Sequence, residues 1–264
     1  MTVSFLLTLA ALGFMGAFVA GLLGVGGAIL MIPLLLYVPP WIGFPPLDVR
    51  AVTAISMVQV FFAALSGAIA HGRHGAVHRG LSVTVGAAAA VGSLAGGVAS
   101  RWLPEHALLA IFAAMASLGV LLMWVAPTAR DGQSRTADMA PFHRPLALLT
   151  GGGVGAGAGL VGAGGAFLLV PLLITVVGIP TRITIGSSLV ITLWTAAAGV
   201  VGKLMTGQVP FAPAVALVLG AIPGAQAGGW ASRRFGVRSL KGLLTGLTTL
   251  VALRIWIDVL SRLW

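Results

Sequence analysis

The 264-residue sequence contains no cysteine. Disulfide frameworks, thiolate metal sites and thiol-relay chemistry are therefore excluded. Charge is nearly as scarce: charged residues make up 8% of the chain and hydrophobic ones 58%. A soluble domain of this length must face water over its whole exterior and cannot be that apolar. Acids are the scarcest, with five in the chain: Asp48, Glu105, Asp131, Asp138 and Asp258. Four fall in polar loops and Asp258 lies near the end of the last apolar run. No carboxylate stands mid-span, where proton pumps and cation transporters need one. Without an acid–base pair or a metal-ligand cluster inside the apolar runs, the expectation is no enzyme, no catalytic residue, no metal and no cofactor. The N-terminus, Met1-Thr-Val-Ser-Phe-Leu-Leu, also lacks the positive segment of a cleaved signal peptide, so the first apolar run is expected to persist.

What the chain does have is a succession of apolar runs: 3–23, 28–38, 51–70, 81–100, 106–126, 145–162, 166–178, 183–202, 209–231 and 239–260. Most approach the ~20 residues a helix needs to cross a bilayer, and none alternates as a membrane β-strand must. The fold class is an all-α polytopic membrane protein. The net charge of +10 comes from Lys and Arg in short loops, where they set topology; no basic run or aromatic-studded patch points to nucleic acid. Trp41, Trp102, Trp124, Trp230, Trp256 and Trp264 fall near run ends, as interfacial anchors should, while Trp194 falls inside a run. His71, His74 and His78 lack any Cys or acid beside them, and Gly72 and Gly75 break helical register. They read as a titrating loop rather than a metal site.

The chain also repeats itself. Gly21-Leu-Leu-Gly24-Val-Gly26-Gly27-Ala-Ile-Leu-Met-Ile-Pro33-Leu-Leu35 returns as Gly159-Leu-Val-Gly162-Ala-Gly164-Gly165-Ala-Phe-Leu-Leu-Val-Pro171-Leu-Leu173, with ten of fifteen positions identical. At an offset of 132 residues, segment 91–101 matches 223–233, Arg50 matches Arg182, Ser56 matches Ser188 and Gly67 matches Gly199. The organisation is thus a first transmembrane repeat over 1–126, a linker over 127–144 and a second repeat over 145–264. Each repeat is a glycine-broken helix or re-entrant hairpin plus three transmembrane helices. Internal duplication of this kind is a common plan for secondary transporters.

Loop charges bear on whether the halves are parallel or inverted. If 3–38 and 145–178 each turn back at their glycines, one face collects Arg73, Arg79, Arg130, Arg135, Arg144, Arg182, Arg233, Arg234, Arg238 and Lys241, and the other keeps Arg50, Arg101, Lys203, Arg254 and Arg262. Ten against five obeys the positive-inside rule, whereas straight-through crossing gives eight against seven and no orientation signal. The expectation is two inverted repeats with a cytoplasmic linker and both termini outside.

The glycine motif carries the chemistry. An interrupted helix leaves N–H groups without intrahelical partners, and in hydrocarbon these must find protein, water or ligand. Glycine lets a ligand approach the backbone, and the following helix directs its positive dipole end at the same spot. That favours an anion. Candidate substrate-binding residues are Gly24, Gly26, Gly27, Gly162, Gly164 and Gly165. Ser56, Ser187, Ser188 and Gln59 are neutral polar groups inside the runs, and Arg50 and Arg182 stand at matched helix starts, where a cation could draw an anion in. Gln226 is a further polar residue inside a run, and Lys203 reads as Arg50 does, a vestibule cation or an interfacial anchor. Gly92, Gly96 and Gly97 read as helix-packing positions.

With these residues in hand, the chain resembles the sulfite exporter TauE/SafE family, also called the toluene sulfonate uptake permeases. The resemblance rests on Gly21–Pro33, its repeat Gly159–Pro171 and the Arg and Ser residues that open the following spans, and it covers nearly the whole chain. It implies a multi-pass carrier in the bacterial inner membrane, moving sulfite, sulfonates or related organic oxyanions by alternating access. The alternatives are an anion channel or a carrier of a non-sulfur organic anion. Partners expected are the small anionic substrate, membrane lipid and a second copy of the chain as a homodimer.

Overall fold

The computed structural model describes residues 2–23, 28–71, 78–125, 142–179, 181–232, 234 and 237–263. Among them the chain is helical throughout: α1 (Val3–Leu23), α2 (Ala28–Trp41), α3 (Val49–His71), α4 (Arg79–Ala99), α5 (Glu105–Val125), α6 (Arg144–Val161), α7 (Ala166–Thr175), α8 (Thr181–Met205), α9 (Phe211–Ser232) and α10 (Val237–Leu263). Seven of these are long and apolar enough to cross a membrane, while α2 and α7 are apolar but shorter. The protein is a multi-pass membrane protein. Local chemistry sets the boundaries. His78 caps α4 by accepting the Leu81 N–H at its Nδ1, Pro145 stands in the first turn of α6 where no N–H is needed, and left-handed Gly162 and Gly165 end α6 and start α7. The segment 127–141 of the linker lies outside the described residues.

Two glycine seams hold the bundle together. A side chain on Gly220, Gly224 or Gly228 of α9 would run into the carbonyls of Ala10, Phe14 and Phe18 of α1. On the other seam, Gly92 and Gly96 of α4 meet the carbonyls of Gly152 and Ala156 of α6, and Gly151, Gly155 and Gly159 of α6 meet those of Val85, Ala89 and Ser93. Small residues let the backbones touch, which is how helices associate where lipid removes any hydrophobic drive. The packing expected of Gly92 and Gly96 is what these contacts display, and Gly97 sits against Gly199 and Gly202 of α8.

The seams correspond contact by contact. Gly224 on Phe14 matches Gly92 on Gly152, and Gly21 against Ala225 and Gly229 matches Gly159 against Ser93 and Gly97. In both seams residue numbers rise together, so α1 runs with α9, and α6 with α4. Between the corresponding helices α3 and α8 the sense is opposite. Thr53 meets Lys203, Met57 meets Gly199, and Val60 and Thr192 flank Gly164. α6 ends beside α3 and the C-terminal half of α8, and the chain turns back through 162–165 into α7; Ile179, four residues past the end of α7, accepts the Thr184 hydroxyl from the start of α8.

Candidate functional site

The second glycine turn lies inside the bundle rather than at its rim. Gly162 sits against the Thr53 carbonyl, one turn into α3, and Gly164 against Val60 and Thr192, near the middles of α3 and α8. Residues 161–169 are all buried. Gly162, Gly164 and Gly165 have φ of 73°, 63° and 76°, a left-handed run that L side chains rarely adopt. Only glycine fits here twice over: the conformation excludes a Cβ, and so does the space.

The turn leaves backbone groups open. The Gly162 and Ala163 N–H groups both donate to Ala158 O, closing α6, and Gly165 O accepts from Leu168 and Leu169. Among the described residues, the N–H groups of Gly164, Gly165, Ala166 and Phe167 find no backbone acceptor. They form the positive end of α7, buried in the bundle.

Ser56 of α3 and Thr192 of α8 reach the turn, and Gln59 and Ser188 stand one turn from them on the same helices. Ser56 donates its hydroxyl to Gly162 O at 2.7 Å. Gln59, one turn along α3 from Ser56, is fully buried, and neither its Oε1 nor its Nε2 has a partner. Thr192 packs its methyl toward Gly164 while its buried hydroxyl is likewise unpartnered. Ser188, four residues before Thr192 on α8, is buried. Unsatisfied polar groups cost free energy in a dry interior, so a cluster of them beside open N–H groups has the make-up of a small-oxyanion site.

Other candidates stand elsewhere. Ser187 Oγ accepts the His78 N–H at 3.0 Å and so helps hold the start of α4. Arg50 donates from a terminal nitrogen to Leu103 O at 3.1 Å, tying α3 to the α4–α5 turn. Gln226 is exposed on α9, and Trp194 is 46% exposed and packed over Gly86, so neither faces the turn. His78 is a helix cap stacked edge-on against Phe142. No group of metal-binding side chains occurs among the described residues. Gly24, Gly26, Gly27, His74 and the side chains of His71 and Arg182 lie outside the described residues. An apolar groove of about 490 Å³ between α1 and α9, lined by Leu6, Ala10, Phe211 and their neighbours, offers no polar group to an anion.

The neighbourhood also contains a residue whose setting the sequence did not reveal. Lys203, on α8, is completely buried. Its Nζ donates to Ser100 Oγ at 3.0 Å, Thr53 Oγ1 at 3.2 Å and Leu160 O at 3.4 Å. In the sequence it stands just past the run 183–202 and reads as a vestibule cation or an interfacial anchor; its burial excludes the snorkelling anchor.

Comparison with known proteins agrees with this architecture. The family profile described as Sulfite exporter TauE/SafE matches residues 9–255. A probable membrane transporter protein of Xylella fastidiosa (strain 9a5c) is 32% identical over 274 aligned positions, covering 100% of this chain and 98% of the relative. The probable membrane transporter protein YdhB of Bacillus subtilis (strain 168) is 26% identical, over 81% of this chain and 85% of the relative. No solved structure matches the chain. With nearly its full length matched, the chain belongs to the sulfite exporter TauE/SafE family of membrane transporters.

Proposed function

We propose that the protein is a secondary carrier of small sulfur-containing oxyanions, sulfite or sulfonates, and that it works by alternating access between two inverted halves. The observation that carries this reading is the buried turn at Gly162–Gly165, with open N–H groups at the start of α7 and unpartnered Gln59 and Thr192 beside it. An oxyanion supplies acceptors to the open N–H groups, to the Gln59 Nε2 and to the Thr192 hydroxyl, where a cation would supply none. The family's description as sulfite exporters supports the sulfur-oxyanion class.

Support for inversion comes from direction. α3 and α8 correspond in the duplication yet run oppositely, while α1 runs with α9 as α6 runs with α4. Loop charges then put the ten-cation face, with the linker, in the cytoplasm. Rocking one half against the other would expose an anion bound at the buried turn to each side in turn. The test is flux in proteoliposomes: saturable sulfite or sulfonate uptake, accelerated by the same anion trapped inside, is the expected result. Uptake that does not saturate and shows no countertransport would overturn the carrier reading.

A further inference from the structure

We propose that the second glycine turn is the anion site proper and that the Lys203 ammonium is the fixed counter-charge of the transported anion. This rests on the anion-carrier reading above and adds to it which glycine turn binds and which charge does the binding.

Three observations converge. Lys203 is fully buried, and its three hydrogen bonds all end on neutral oxygens. The two hydroxyls spend their own protons elsewhere, Thr53 on Arg50 O at 2.8 Å and Ser100 on Gly97 O at 2.7 Å, so they present lone pairs to the ammonium. Among the described residues no carboxylate lies within ion-pair distance of it. The group is satisfied as a donor but its charge is not neutralised, an arrangement that is costly in a membrane interior and is retained where an ion must bind.

The second observation is position. Thr53 is shared between the lysine and the turn: its hydroxyl accepts from Nζ, and its carbonyl lies against Gly162. Leu160, the third acceptor, stands two residues before Gly162. Its bond is the longest at 3.4 Å, and is the one an anion oxygen replaces most easily. The third observation is asymmetry. The duplication partners of Lys203, Thr53 and Gln59 are His71, Ile185 and Ile191. Of the groups that meet Nζ, the Ser100 hydroxyl has a counterpart, Ser232, which donates to Gly229 O as Ser100 does to Gly97 O. The ancestral packing survives at both positions that the duplication relates, but only one of them carries a lysine with the Thr53 hydroxyl against it; the other has His71 and Ile185.

The test uses the full-length protein in detergent and in proteoliposomes, with sulfite and methanesulfonate as probes. Lys203→Gln keeps a donor at the position and removes the charge; Lys203→Arg keeps the charge. Ser100→Asp places a carboxylate beside Nζ and neutralises the lysine from within, so it answers the question even where Lys203→Gln fails to fold. The expected result is that Lys203→Gln and Ser100→Asp raise the KM for either anion at least about tenfold and lose the anion-dependent rise in melting temperature, while Lys203→Arg keeps that rise and Ser100→Asp melts no lower than wild type without anion. Wild-type KM and wild-type anion response in folded Lys203→Gln or Ser100→Asp would overturn the assignment and leave the carrier reading standing. A wild-type protein that responds to neither anion and transports neither would overturn the carrier reading and this one with it.

Discussion

Ser56 of α3 and Gly162 at the end of α6 are joined by a 2.7 Å hydrogen bond across 106 residues of sequence, both partners buried. The bond ties the turn of one half to a span of the other. Ser56→Ala leaves the Gly162 carbonyl without its donor, which costs about 1–3 kcal/mol. The expected outcome is a lower melting temperature in detergent together with slower anion flux. An unchanged melting temperature would mean that the turn is held from elsewhere.

The turn itself can be probed by separating space from conformation. Alanine at Gly164 would collide with Val60 and would also have to adopt a φ of 63°. Val60→Ala removes the collision and leaves the conformational cost of about 1–2 kcal/mol. Gly164→Ala is expected to lower stability and abolish transport. The Val60→Ala/Gly164→Ala double variant should recover part of the stability, read by melting temperature, without recovering full flux.

The seams give a sharper contrast on a single helix. Gly155 of α6 meets Ala89 backbone, whereas a Cβ on Gly153 would meet nothing within 4 Å. Gly155→Leu must push α4 and α6 apart and is expected to destabilise by about 1–3 kcal/mol or more. Gly153→Leu points into open space and is expected to be neutral or slightly stabilising, since leucine is the better helix former. Equal melting temperatures for the two variants would contradict the α4–α6 seam.

How much of this was legible in the sequence follows from what kinds of signal helices leave. The spans, the duplication and the second glycine turn, at 162–165, were legible because apolar length and glycine spacing are local properties. The run read as 28–38 extends through Pro39 and Pro40 to Trp41, since prolines near a helix end remove few bonds. Partner choice was not legible. Ser56, Ser187, Ser188 and Gln59 look alike in a list of polar residues inside spans. Yet one holds the turn, another anchors α4, and Gln59 has no partner, because helix rotation and interhelical register decide the matter. Gln59 and Gln226 had the same standing in sequence and have opposite exposures in the fold. Lys203 was hidden for the same reason: only the meeting of α3, α4, α6 and α8 encloses it.

Topology can be read directly because the chain has no cysteine of its own. Arg101 and His143 are both exposed, at the α4–α5 turn and at the start of α6. A single cysteine in place of Arg101 is expected to react with an impermeant thiol reagent added to intact cells. One in place of His143 should react only after permeabilisation. The opposite pattern would invert the orientation, and labelling of both from outside would mean that α5, the helix between them, does not cross the membrane.

Gln59 offers the test that separates binding from stability. Its amide is fully buried and neither polar atom has a partner, so in the empty protein it carries an unrecovered desolvation cost of about 1–3 kcal/mol. Leucine has nearly the same shape and none of that cost. Gln59→Leu is therefore expected to raise the melting temperature of the anion-free protein and to diminish the further rise that sulfite produces. The two effects have opposite signs, which no purely structural role for Gln59 would give. A variant that melts lower than wild type without anion would mean instead that the amide has a structural partner, an ordered water among them, and Gln59 would leave the list of substrate contacts.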